Sequence, residues 1–327
     1  MMKVQVDELK RVTLQVLARS GYPPDECETI LNVIMYAQLR GNNQGIVKLI
    51  GAGMPRDKAC KPITTQRDTK LSALLDGGRN SGMVVVTYAM KLAIQKAGEH
   101  GIGIVGTNNT NSSTGAIGYY ASQIAQAGYI GLVFSGSGEY MAMHGSYQPI
   151  FGTNPLAFGI PTTGKPIVFD MATASIARFG IVEAKTAGRS IPEGVAYDNK
   201  GEITTDPAAA LGGAIRAFGG YKGAALALLV EVLTHPLVST TPDGKGHKSD
   251  WGNLLLVIDP ELLVDGDTFA ERTSSLVQRL KDAQKLPGVY EILVPGERGD
   301  RFMDSVMQAG SIEIEDQLWA ALQQAAN

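Results

Sequence analysis

The stretch "GIGIVG", Gly101–Gly106, spells G-x-G-x-x-G. Read as a dinucleotide fingerprint it would make the chain a Rossmann fold. Read as a strand it would not. The fingerprint needs a strand, then the glycines in the turn, then a helix whose N-terminus receives the pyrophosphate. Here the order is different. A helical pattern, roughly Met83 to Glu99, precedes the motif, and the glycines alternate with Ile and Val inside the apolar run. The next residues, "TNNTNSST", make a polar loop. The motif is therefore predicted to be a strand. By position, "SGSGEYM" after the next strand is a better phosphate or nicotinamide loop, although it carries only two glycines.

The flanking sequence supports that reading. Leu9, Val12, Val16 and Leu17 have helical spacing, and Ser20-Gly21 ends the helix. A second helix starts at Pro23-Pro24-Asp25-Glu26, carries Cys27, Ile30, Leu31, Ile34 and Met35 on one stripe, and stops at Gly41. Strand-length mixing of apolar and polar residues runs from about Pro62 to Leu75, and "DGGRNSG" (76–82) is a turn. Beyond the motif come a helix (115–128), a strand (129–134), and two short strands, "PLAFGI" and "PIVFDMA". Two helices come next, "SIARFGIVEAKTAG" and "KGAALALLVEVL", with a hairpin turn "DNKG" (198–201) between them. Then come late strands "NLLLVID" and "VYEILVP" around a further helix, and an amphipathic end, "EDQLWAALQQAA". Alternation of this kind predicts a mixed sheet covered on both faces.

The totals exclude several classes. The chain of 327 residues is long enough for two or three lobes, and with a net charge of -3 nothing argues for a nucleic-acid surface. Its two cysteines, Cys27 and Cys60, make no disulfide framework. The opening "MMKVQVDELK" lacks an apolar signal core. The longest apolar run, Ala224 to Leu233, is interrupted by Glu231 and is short for a bilayer. The expectation is a soluble cytoplasmic protein. The four histidines, His100, His144, His235 and His247, show no i,i+4 pairing, so no metal site is expected. His100 reads as a helix-dipole partner, and His235 and His247 as surface residues. "GGYKG" (219–223) is either an anion-binding helix start with Lys222 beside it or a flexible loop. "RGNNQGIVKL" (40–49) sets Asn42, Asn43 and Gln44 between Arg40 and Lys48. It is either a polar loop or a binding site without a proton donor.

Seven stretches, "AQLRGNNQGIVKL", "LDGGRNSG", "TNSSTGAIGYYA", "GTNPLAFGIP", "IVFDMATASIA", "DNKGEITTDP" and "GGYKGAALALLVEVL", occur in an order and spacing that resemble the malate/L-lactate dehydrogenase family. That family lacks a Rossmann fold. The resemblance implies a mixed-sheet, non-Rossmann α/β fold. An N-terminal helical lobe (1–75), joined by the C-terminal segment 300–327, would pack on an NAD(P)-binding domain (76–299). It implies NADPH or NADH as cofactor, a small-molecule substrate with a carboxylate, and a homodimer. By the same resemblance, Ser137, Asp170, Met171, Ala172 and Lys222 would meet the cofactor, with Gly296 and Glu297 of the "PGER" turn. Thr153 and Asn154 would line the nicotinamide and substrate pocket, with Asn43 at the substrate.

Two departures bear on the chemistry. The family loop usually reads Ser-His-Gly with an Arg three residues later, and the His is the acid/base residue. Here the corresponding residues are Asn43, Gln44, Gly45 and Lys48. A second family His is replaced by Ser113. Reducing a 2-oxo acid makes an alkoxide that needs a proton, and a positioned acid is worth about 10²–10⁴-fold. Gln44 does not supply one. A 2-imino acid can arrive with its nitrogen protonated, and a carboxamide acceptor suits that N–H⁺. The expected activity is thus NAD(P)H-dependent reduction of a small, cyclic 2-imino acid or related imine. The alternatives are a 2-hydroxy/2-oxo acid dehydrogenase using His144 as the acid, and a degenerate relative that only binds cofactor.

Overall fold

The structure, a computed structural model, describes residues 1–240 and 251–327. Strand β1 (Met2–Gln5) leads into helices α1 (Val6–Arg19) and α2 (Pro24–Gln38). The α1 stripe of Leu9, Val12, Val16 and Leu17 is buried, and Gly21 turns the chain at φ 90°. Helix α2 begins with Pro24, Asp25 and Glu26, residue types that suit a helix N-terminus, and buries Cys27 with Ile30, Leu31 and Ile34. A 3-10 turn, Ile46–Leu49, comes next. Then come β2 (Thr64–Asp68), β3 (Ser72–Asp76), α3 (Gly82–His100), β4 (Ile102–Asn108), α4 (Gly118–Gln126) and β5 (Ile130–Ser135). Next are β6 (Met141–Ala142), β7 (Pro149–Phe151), β8 (Leu156–Ile160), β9 (Ile167–Met171), α5 (Arg178–Thr186), β10 (Ala196–Tyr197), α6 (Pro207–Gly212) and β11 (Ala214–Ile215). The chain closes with α7 (Tyr221–Thr234), β12 (Asn253–Ile258), α8 (Gly266–Lys281), α9 (Glu297–Ala309), β13 (Ser311–Ile314) and α10 (Asp316–Ala326).

"GIGIVG" is strand β4, and each glycine has its own reason. Gly101 caps α3 in the left-handed region at φ 83°. A Cβ on Gly103 would lie 2.0 Å from the Ala93 carbonyl oxygen of α3, and one on Gly106 would lie 2.7 Å from Val238 on the other face. The strand lies inside a seven-stranded sheet of order β2-β3-β4-β12-β5-β8-β9, next to its middle strand. Only β3 and β4 are parallel neighbours. Gly103, Val257, Gly131 and Gly159 stand opposite one another across four strands. The three glycines of that row let α3 and α4 sink onto one face; a Cβ on Gly159 would sit 2.0 Å from the Ala121 carbonyl oxygen. The row Leu74–Gly106–Leu254–Phe134–Leu156 lies on the opposite face, beneath Val230 of α7 and Val238. The mixed, non-Rossmann sheet covered on both faces is as expected.

A second sheet, β10-β11-β6-β7, has its own core with Ile181 of α5 and Ala224 and Ala227 of α7. The ends of the chain join, with β13 antiparallel to β1 and α10 packed on α1.

Several expectations are corrected. "VYEILVP" forms no strand: no strand among the described residues pairs with it, and Val289, Tyr290 and Leu293 are exposed. Helix α9 was not expected, because Gly299 and its charges hide the spacing of Met303 and Val306. His235 is not a surface residue; it is 3% exposed, with Nδ1 3.1 Å from a Glu231 carboxylate oxygen. The apolar stretch around Ala224 is longer than the run suggested. Tyr221–Val238 has a mean hydropathy of 1.2 and is apolar enough by composition to cross a bilayer, but 44% of it is buried and α7 packs on β5 and β12. His247 lies outside the described residues.

Candidate active site

Strands β4, β5 and β9 run in the same direction, so their carboxyl ends reach one edge of the sheet. The loops that leave this edge, with the loop after α2 and the start of α5, enclose a cavity of about 550 Å³. Clefts at carboxyl ends of α/β strands are the usual ligand sites. Asn43, Gln44, Lys48, Ser113, Ser137, Thr153, Asp170, Met171 and Ala172 all line it.

The loop after α2 is tied down from below. Gln38 Oε1 accepts the Ile46 N–H at 3.1 Å, and Asn42 Oδ1 accepts the Gln44 N–H at 2.9 Å. This leaves the carboxamides of Asn43 and Gln44 at the cavity wall, bonded to each other at 3.3 Å. Lys48 on the 3-10 turn is 6% exposed, and its Nζ donates to Ser113 Oγ at 3.0 Å. Nζ also lies 4.6 Å from the centre of the Phe179 ring. Burial holds its amine down at about 8, against an ordinary 10.5.

On the sheet side, Ser137 Oγ accepts the Thr153 N–H at 3.0 Å. Asp170 stands at the mouth, where its carboxylate accepts the Gly118 N–H at 2.8 Å, at the start of α4. These hydroxyls, a carboxylate and backbone groups are the partners that a nicotinamide carboxamide and ribose hydroxyls require. The volume suits the nicotinamide half of a dinucleotide beside a small acid, so the residues present fit that cofactor.

Other expected site residues lie outside this wall. Asn154 is fully buried behind it at φ 40°, with its amide nitrogen donating to Glu231 at 2.7 Å and to the Ala227 carbonyl at 3.0 Å. His144 is exposed, its ring centre 6.4 Å from that of Tyr221, so it stands beside Lys222 at the N-terminus of α7. Glu297 borders a separate groove at the other end of β9, and Gly296 precedes it in the chain. Gly296 caps α9 at φ 95°, against the backbone of Val168, and Glu297 pairs with Lys281.

Sequence reasoning missed Arg178. It lines the cavity with its guanidinium 3.9 Å above the Tyr140 ring, and no carboxylate pairs with it among the described residues. A signal was present: Arg178 is the first residue of α5, and a cation at a helix N-terminus opposes the dipole unless an anion comes to it.

The family model for malate/L-lactate dehydrogenase matches residues 4–323. L-sulfolactate dehydrogenase of Methanothermobacter thermautotrophicus is 34% identical over 308 residues, covering 90% of this chain and 88% of that protein. The Δ1-pyrroline-2-carboxylate/Δ1-piperideine-2-carboxylate reductase of Pseudomonas putida is 36% identical over 254 residues, covering 75% and 72%. The solved sulfolactate dehydrogenase of Methanocaldococcus jannaschii superposes with a TM-score of 0.86 at 32% identity, over 100% of this chain and 97% of that one. A mixed sheet without a Rossmann phosphate loop, a cleft at its carboxyl edge and these matches lead to one conclusion: the chain belongs to the malate/L-lactate dehydrogenase family of NAD(P)-dependent oxidoreductases.

Proposed function

We propose that this protein reduces a small, cyclic 2-imino acid or a related imine, using NADPH or NADH. The observation that carries the reading is the cavity wall itself. Neutral carboxamides, Asn43 and Gln44, and the hydroxyl of Ser113 face the space, and no histidine lines it among the described residues. A carboxamide oxygen accepts an N–H without adding a charge that would repel an iminium. Arg178, which no described carboxylate pairs, supplies the positive charge that holds the substrate carboxylate. Ser137, Thr153 and Asp170 would hold the nicotinamide end of the cofactor, which supplies a hydride when bound. The relative from Pseudomonas putida carries a cyclic-imine reductase name, which supports the same class.

The competing reading, a 2-oxo/2-hydroxy acid dehydrogenase with His144 as the acid, is less well supported. That imidazole is exposed and sits outside the cavity. The test is a cofactor-oxidation assay, with NADH and NADPH in parallel, against pyrroline- and piperideine-2-carboxylate, pyruvate and 2-oxoglutarate. Turnover on the imines alone supports the proposal. Robust turnover on the oxo acids refutes it, and cofactor binding without any turnover points to a degenerate relative.

A homodimer is part of the proposal. Helix α8 buries none of its residues, and Leu276 and Leu280 on it stay exposed, as do Leu286, Tyr290 and Leu293 in the segment after it. The outer face of α7 likewise exposes Leu228, Leu229 and Val232. Apolar surface of this extent supports a second copy as its cover. Sedimentation that returns only a monomer would remove this part.

A further inference from the structure

The ammonium of Lys48 lies in the cavity wall and donates to Ser113 Oγ at 3.0 Å. The same oxygen accepts the Gly115 N–H at 3.1 Å. A serine hydroxyl has two acceptor positions and one hydrogen. With both acceptor positions filled, that hydrogen has to point away from both donors, and Lys48 and Ser113 both line the cavity.

We propose that Lys48 and Ser113 form a proton relay, in which Ser113 donates its hydroxyl hydrogen to the substrate nitrogen and Lys48 replaces it. The inference rests on the imine-reducing reading and names its proton source. The balance is simple. The substrate C2 gains a hydride from the reduced nicotinamide, forming a C–H bond. The C=N π pair moves to nitrogen and forms an N–H bond with the serine proton. Ser113 Oγ takes a proton from Lys48 Nζ, which is left as a neutral amine and is recharged from water after the product leaves.

The surroundings suit a lysine that gives up a proton. The 3-10 turn that carries Lys48 packs against α1, α2 and α10, and none of the charged residues of those helices is buried. Asp170, Arg178 and Tyr140 share the cavity without bonding to Nζ. Burial lowers the amine and brings the proton within reach of release at about 8. An arginine here would grip a carboxylate better but would not release a proton. Arg178 leaves the anchoring role filled and Lys48 free for the relay.

The experiment compares wild type, Lys48→Arg and Ser113→Ala on the imine that turns over best, across pH. The wild-type kcat should hold at low pH and fall above about 8. Both variants should lose about 10²–10⁴-fold in kcat at that pH with little change in KM, and regain activity in acid, where the imine arrives protonated. A Lys48→Arg variant that keeps its kcat, with KM unchanged or lowered, overturns the relay and makes Lys48 a carboxylate anchor. A second readout needs no substrate: acetylation of Lys48 by acetic anhydride, followed by peptide mass. Half-reaction near about 8 supports the relay, and half-reaction at an ordinary lysine value overturns it. If no imine turns over, the proposed function fails and the relay with it; if imines turn over and both variants keep their kcat, the relay alone fails.

Discussion

Replacing Lys48 by Met should make the protein more stable at neutral pH while disabling it. Burial lowers the amine from 10.5 to about 8. Below that lower value the lysine is charged in both folded and unfolded chains, and the folded chain bears the whole desolvation penalty. At about 1.4 kcal/mol per pH unit, the penalty is on the order of 3 kcal/mol. Between the two values the unfolded chain holds a proton that the folded chain has released, so stability rises with pH. Above 10.5 both are neutral and the penalty is gone. Methionine has nearly the same length and no charge. Its gain at neutral pH is reduced by the lost bond to Ser113, worth about 1 kcal/mol, leaving a net gain of about 1–3 kcal/mol. Urea unfolding followed by the fluorescence of Trp251 and Trp319, at neutral pH and above 10.5, measures both ends. The reasoning is refuted if the variant is no more stable at neutral pH, or if its advantage survives unchanged in alkali.

Three other outcomes are expected. Arg178→Ala should raise KM for a carboxylate substrate by about 10–100-fold, the worth of one charged hydrogen bond, with kcat little changed; an unmoved KM would place the anchor elsewhere. His144→Phe should change kcat by less than about threefold on any substrate, well short of the loss expected from removing a general acid, and steady-state kinetics would reveal a larger effect. Gly103→Ala should destabilise the fold by about 1–3 kcal/mol, because the new methyl group meets the Ala93 carbonyl and α3 must lift; a thermal melt that does not move would show that the contact is slack.

The sequence revealed much of the local structure and little of the long-range pairing. "GIGIVG" could be read as a strand because the helix before it and the polar loop after it are local facts. The position of β12 between β4 and β5 could not, since pairing between residues some 150 apart leaves no mark on either partner. "VYEILVP" has the composition of a strand and no neighbour to pair with, which its own residues cannot reveal. At the site, the polar loop around Gln44 was visible as an oddity. Its gathering with Ser113, Thr153 and Asp170 was suggested only by resemblance, because loops from distant parts of the chain build the cavity. Arg178 was missed although its place at a helix start is electrostatically odd. His235 next to Pro236 resembles a surface turn, and only the tertiary fold closes over it.

The place of β12 also bears on how the molecule is made. It is the middle strand of seven, yet the chain delivers it after all the others in that sheet. Until it emerges from the ribosome, β2-β3-β4 and β5-β8-β9 are two half-sheets, each with an open inner edge. Those edges are apolar, and β4 and β5 point the same way. A nascent chain halted before Asn253 is therefore not the protein minus a tail. It is a pair of unclosed edges that can pair wrongly with each other or with a neighbouring chain.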